Sequence, residues 1–325
     1  MHPAFSVIFL TTLIGVGQGL FLALFTGQSY AAVELLPSQD SAGFYGIGGA
    51  IALVFLVGGL IASFFHLGRP ERAWRAAAMW RTSWLSREVI ALPLVMGLVF
   101  IYTVMHYFNL DTILFTSKTG ARLSVTTVIG GLGTIATFAL FICTGMIYAA
   151  IKFLQEWSSP LTVINYLLLG TASGFTLATA FASQTAPELM NFYGIWAIII
   201  TLSALVTRGW SLIRNAHLKA KSSIQTAIGI RHKNIQQKAM GMMGGSVNTR
   251  DFFHHTSRAF MKTIKYGFIV LVFLVPTVLL WKGMQSGDST TLAAAFITQY
   301  IGLIAERWFF FAQANHPQNL YYQTT

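Results

Sequence analysis

Charge is what this sequence has least of. Asp, Glu, Lys and Arg make up 10% of its 325 residues, against 54% hydrophobic ones, whereas an average soluble domain carries roughly 25% charged residues. Most of the chain therefore cannot face water, which excludes an ordinary soluble domain. Cysteine is nearly absent as well: Cys143, the single one, lies inside an apolar run. One thiolate cannot assemble an iron–sulfur cluster or a structural zinc site, so any such centre has to belong to a partner. Histidine is present but badly placed for haem. Bis-histidine ligation needs two imidazoles facing each other at matching depth. His66 and His106 fall near opposite surfaces, His217, His232, His254 and His255 sit in a polar stretch, and His2 and His316 lie at the ends. The expectation is a chain with no haem and no metal of its own.

Long apolar runs are what the sequence does have. Eight of them read as membrane-spanning helices, at about 4–25, 45–65, 88–108, 123–151, 161–183, 192–212, 266–281 and 290–311. A run of about 20 residues, at 1.5 Å rise per residue, crosses a hydrocarbon core roughly 30 Å thick. The first run lacks a basic leader and a small-residue cleavage site, and is read as a retained helix. The expected fold is an all-α integral membrane protein, a bundle of about eight transmembrane helices forming one domain over 1–325. Gly15, Gly17 and Gly19 in the first run and Gly130, Gly131 and Gly133 in the fourth leave grooves. Close helix packing is the favoured reading for both, with ligand approach as the alternative. Gln18, amid the first group, carries a buried amide that must find a partner.

The net charge of +11 would suggest nucleic acid in a soluble chain, but here it collects in a few connections and signals orientation instead. Of the 21 Lys and Arg, all but Lys118, Arg122 and Lys282 fall on one side of the eight-span arrangement. That side carries Arg69, Arg72, Arg75, Arg81 and Arg87, and a long basic connection at about 213–262. It should be cytoplasmic, with both ends of the chain and the His66 loop. The glycine-rich stretch 240–246 argues against one continuous helix in the basic connection, which could bind anionic lipid or dock an acidic partner.

Ionisable groups near bilayer depth are costly and so mark functional candidates: His66, Glu88, His106, Glu306 and Arg307. His66, Glu88 and the Glu306/Arg307 pair reach the same side, whereas His106 reaches the other. An imidazole near a carboxylate suits hydrogen bonding to a quinone carbonyl and moving protons as two electrons pass. The alternative is that His66 caps a helix end and Glu88 merely sits well at a helix N-terminus. Trp74, Trp80 and Trp84 alternate with the arginines, as an interfacial belt or as a docking face.

The stretch HLGRPERAWRA followed by SWLSREVI resembles the membrane-anchor family of dimethyl sulfoxide reductase, in which HLG, a proline, RA, and LS with a glutamate recur at this spacing. The likeness extends more weakly over the whole chain. It implies an anchor without a cofactor of its own that binds a quinone, ubiquinone or menaquinone. Electrons would pass between that quinone and a four-cluster iron–sulfur subunit attached to a molybdopterin catalytic subunit. The histidine and glutamate of the motif, the family's quinol-site residues, fall on His66 and Glu88. Arg69 and Gln18 are taken with them as quinone-binding, and Arg72, Arg75, Arg81 and Arg87 as partner-docking residues. The opening run, MHPAFSVIFLTTLIGVGQGLFLALFTGQ, and the inward orientation look more like the anchors of cytoplasmic sulfite dehydrogenases. A reductase anchor that oxidises quinol, a purely structural anchor and a transporter remain as alternatives.

Overall fold

The computed structural model describes residues 1–117, 122–236, 238 and 251–321. All eight apolar runs are helices: α1 (Phe5–Ala32), α2 (Ser41–Phe64), α3 (Trp84–Tyr107), α4 (Val125–Ala149), α5 (Pro160–Thr185), α6 (Pro187–Ala216), α8 (Arg258–Ser286) and α9 (Ser289–Ala312). Seven of these, α1 to α6 and α8, are long and apolar enough to cross a membrane. Helix α9 has comparable length, 24 residues, but Gln299, Glu306 and Arg307 dilute its hydropathy. A five-residue helix, α7 (Ile224–Ile228), lies in the basic connection. That connection is shorter than 213–262 because α6 runs on to Ala216 and α8 begins at Arg258; its glycine-rich stretch 240–246 lies outside the described residues.

Local chemistry sets the helix starts. Ser83, Ser124, Ser159 and Ser257 each cap the following helix by accepting a backbone N–H, and Pro160 and Pro187 occupy first-turn positions that need no donor. At the start of α9 the side chain of Asp288 accepts hydrogen bonds from Thr290 and Thr291, which hold its carboxyl down at about 2. Just ahead of it Gly287, at φ +67°, makes the left-handed turn out of α8. Within α8, the turn over Val270–Leu274 widens to π-helical winding before Pro276, whose ring would otherwise meet the carbonyl one turn back.

Helix α1 is the axis of the bundle, touching α2, α4, α5 and α9. Its glycines are sites of close approach. A Cβ on Gly19 would overlap the carbonyl of Gly170, one on Gly174 would overlap the backbone of Gly19, and one on Gly17 would lie 2.8 Å from the carbonyl oxygen of Ala52. Gly130 and Gly133 of α4 similarly receive the rings of Phe25 and Phe21. The grooves are helix contacts, as small residues between membrane helices provide. We expect Gly174→Val to separate α1 from α5 and to lower the detergent-solubilised melting temperature and folded yield sharply. Overpacking typically costs about 1–3 kcal/mol, and backbone against backbone has little freedom to relax. Unchanged melting of that variant would contradict the contact.

The two ends of the bundle differ. At one end lie Met1, the C-terminal end of α9, the His66 loop and the described part of the basic connection; the side chain of Trp157 donates to Phe310 O and that of Arg214 to Gln155 O there. The opposite end gathers Ser41, His106, Gln28 and Thr126, together with a two-stranded hairpin of β1 (Ile113–Thr116) and β2 (Arg122–Ser124).

Candidate functional site

The polar interior concentrates toward the basic end. Glu88 lies one turn into α3, nearly fully buried, and its Oε1 accepts the hydroxyl proton of Thr144 on α4. Pro93 interrupts the hydrogen bonding of α3 at this level, leaving the carbonyl of Val89 without its usual helical donor. Glu88, Thr144, Gln18, Tyr166, Ser173 and Arg307 line one internal cavity of about 20 Å³. That volume accommodates a single water molecule among several polar partners. Gln18 is anchored there by donating to the carbonyl of Thr137, 3.2 Å away.

Behind the cavity stands a charge cluster. Arg208 Nε lies 2.7 Å from Glu306 Oε1, and Arg307 Nη1 lies 3.3 Å from Glu306 Oε2, all three side chains 5% exposed or less. The guanidinium of Arg307 stacks 3.6 Å from the ring centre of Tyr166, and that of Arg208 lies 5.6 Å from that of Phe268. Two cations around one carboxylate leave a surplus positive charge in the low-dielectric interior. Arg307 also borders the Glu88 cavity.

The sequence-chosen residues thus divide. Gln18 and Glu88 share the cavity; His66 and Arg69 lie exposed on the loop after α2, outside its walls. Partial burial holds the His66 imidazole below its usual pKa. The loop is not irregular: Pro70–Met79 winds as a 3₁₀-helix led by its proline. Arg75, Arg81 and Arg87 lie over Trp74, Trp80 and Trp84 at 5.5, 5.1 and 4.1 Å, and Arg87 also donates to the carbonyls of Trp80 and Arg81. Arg72 makes only a loose contact, 3.8 Å, with the neighbouring Glu71. Trp74, Met79 and Trp80 remain exposed, giving a cationic, aromatic shelf.

Sequence reasoning missed Thr144, Tyr166 and Arg208. Arg208 counts in the sequence only as one of the Lys and Arg on the His66 side, yet it is 2% exposed and pairs with Glu306. Its one available signal was its position inside the continuous run of α6, several residues before that helix ends. Among the described residues no group of three or more His, Cys, Asp and Glu side chains could hold a metal ion.

Residues 1–313 match the family described as DMSO reductase anchor subunit (DmsC). The chain belongs to the DMSO reductase anchor subunit family. It is a multi-pass membrane protein, as its apolar helices and that membership require. The chain is also similar to a sulfite dehydrogenase subunit of Allochromatium vinosum, with 56% identity over 324 residues, covering 100% of this chain and 99% of the relative. In this anchor-family chain, the motif glutamate is the one buried in the water-sized cavity, and the motif histidine lies on the surface above the same end of the bundle.

Proposed function

We propose that this chain is the quinone-reactive anchor of a molybdopterin oxidoreductase complex that oxidises sulfite. Sulfite gives up two electrons at the molybdopterin subunit, a four-cluster iron–sulfur subunit relays them, and a ubiquinone or menaquinone takes them up with two protons near His66. The chain supplies no haem or metal. His66 hydrogen-bonds the quinone at the membrane surface with Arg69 beside it. Glu88, with Gln18 and the cavity's room for one water, holds and passes a proton. The observation that carries the reading is Glu88 in its polar cavity at the same end as the His66 loop. The sulfite assignment draws on the likeness to a sulfite dehydrogenase subunit and on the basic face.

The complex sits in the inner membrane with both ends of this chain and the His66 loop cytoplasmic, since short basic loops resist translocation. The shelf bearing Arg72, Arg75, Arg81 and Arg87 then receives the iron–sulfur subunit, and the basic connection adds contacts to that subunit or to anionic lipid. Quinone reduction draws its protons from the side on which sulfite is oxidised, so turnover moves no net charge across the membrane.

The test combines topology and activity. In a Cys143→Ala background, a cysteine at Ala78 is expected to resist a membrane-impermeant maleimide added to intact cells, and one at Ser38 to react. The purified complex should reduce quinone when given sulfite. External labelling at Ala78 and not Ser38 overturns the orientation. Quinol-dependent sulfoxide reduction without sulfite activity replaces the sulfite reading by that of a reductase anchor, the direction that the family's description favours.

A further inference from the structure

The opposite end of the bundle holds a second pocket, open to the surface and of about 560 Å³, bordered by Gln28, Ser41, Tyr45, His106, Asp111 and Arg122 among others. Its volume lies within the range of roughly 300–1,000 Å³ that small-molecule sites occupy. Three helices contribute buried polar residues to its border. Gln28 of α1 is 8% exposed, and Tyr45 of α2 and His106 of α3 are each 4% exposed. Among the described residues, Gln28 Oε1, the Tyr45 hydroxyl and His106 Nε2 have no hydrogen-bond partner. Buried polar atoms left unpaired cost about 1–3 kcal/mol each, so three on residues that border one pocket favour a ligand there.

The remaining contacts hold these groups in place. Gln28 Nε2 donates to Thr126 Oγ1 at 2.8 Å, which anchors its amide at the border of the cavity. His106 Nδ1 lies 2.7 Å from Ser41 Oγ, and its ring sits 4.9 Å from that of Tyr45 and 4.4 Å from that of Tyr102. Nε2 donates or accepts depending on how the Ser41 proton is shared between Nδ1 and the His106 carbonyl. The site therefore offers a hydroxyl donor, an amide acceptor and an adaptable imidazole, set among aromatic rings. Such a set pairs equally with a carbonyl or a hydroxyl on a planar ring. Around the mouth Leu35 and Ile113 line the cavity while largely exposed, 70% and 56%, so an apolar tail can leave toward the hydrocarbon.

We infer that this cavity is a second binding site for a prenylated quinone or quinol head, at the membrane surface opposite the His66 loop. The ligand class rests on the quinone reading above; the cavity and its unpaired groups do not. The apolar core between the two ends, including Leu20, Phe21, Leu24, Leu92, Val95 and Val99, keeps the two sites separate.

The experiment is photolabelling of the intact complex, in lipid nanodiscs, with an azido-ubiquinone, followed by peptide mapping and competition with decylubiquinone. Label is expected in peptides from 31–41 and 106–117. Tyr45→Phe, which keeps the ring contacts and removes one oxygen, should weaken that labelling about tenfold in competitor concentration, the equivalent of about one hydrogen bond. His106→Leu should remove it, and Glu88→Gln should leave it in place. Label confined to the neighbourhood of His66 and Glu88 overturns the second site and leaves the first intact. Label in 31–41 that persists unchanged in both Tyr45→Phe and His106→Leu also overturns it. A complex that turns over sulfite but neither labels with nor reduces any quinone overturns both readings.

Discussion

Glu88→Gln is expected to leave the complex assembled and to slow sulfite-driven quinone reduction by about 10²- to 10⁴-fold, the usual effect of losing one proton-transfer group. Glutamine has the same shape and keeps an oxygen to accept from Thr144, so packing around the cavity survives; what goes is the capacity to take and release a proton. Thr144→Val tests the reverse, removing the hydrogen bond and keeping the carboxyl, and should cost far less in rate. His66→Ala should also slow quinone reduction, with no change in melting temperature, because the imidazole is exposed and touches none of the cavity walls. Stopped-flow reduction of a short-chain quinone by the sulfite-reduced complex measures all three. Wild-type rates in Glu88→Gln would remove the proton role from this residue.

The largest effect on stability is expected at Glu306. Its carboxylate is the sole acidic member of a buried cluster with Arg208 and Arg307, and Glu306→Gln leaves two guanidinium groups facing each other without an anion between them. Breaking a buried pair by removing one partner costs about 3–5 kcal/mol, because the surviving charge stays desolvated. Folded yield should collapse, or melting in detergent fall by many degrees. Adding Arg208→Met to Glu306→Gln should recover much of the loss, since one stranded cation is then gone. A double-mutant cycle read from thermal melts is the measurement, and additive losses would show that the two residues do not act as a pair.

These two experiments address residues with different visibility in the sequence. Glu88 was legible: acidic residues are few, and this one stood at the edge of an apolar run within a recognisable motif. The eight helices were legible for a similar reason, since a chain that must satisfy every backbone group inside a bilayer has little choice but long apolar helices. Their ends were drawn short where capping serines and polar first turns, as at Ser83 and across 187–191, extend the helix past the apolar window.

A cation near the end of an apolar run, as Arg208 is, looks the same in sequence whether it reaches water or turns inward to an anion. Only the rotation of α6 about its own axis decides that, and the rotation follows from its packing against α5 and α8. The same limit hid Thr144, 56 residues from Glu88, and the convergence of Gln28, Tyr45 and His106 from three helices. The sequence determined the helices, their alternating direction, the basic end, and the small residues through which α1 could touch its neighbours. The tertiary structure decided which faces meet, because the period of one helix tells which of its side chains share a face and says nothing of the helix opposite. Close contact at Gly17, Gly19, Gly170 and Gly174 locks those rotations, and with them the placement of Glu88 and Gln18 on the cavity while His66 and Arg69 stay outside it.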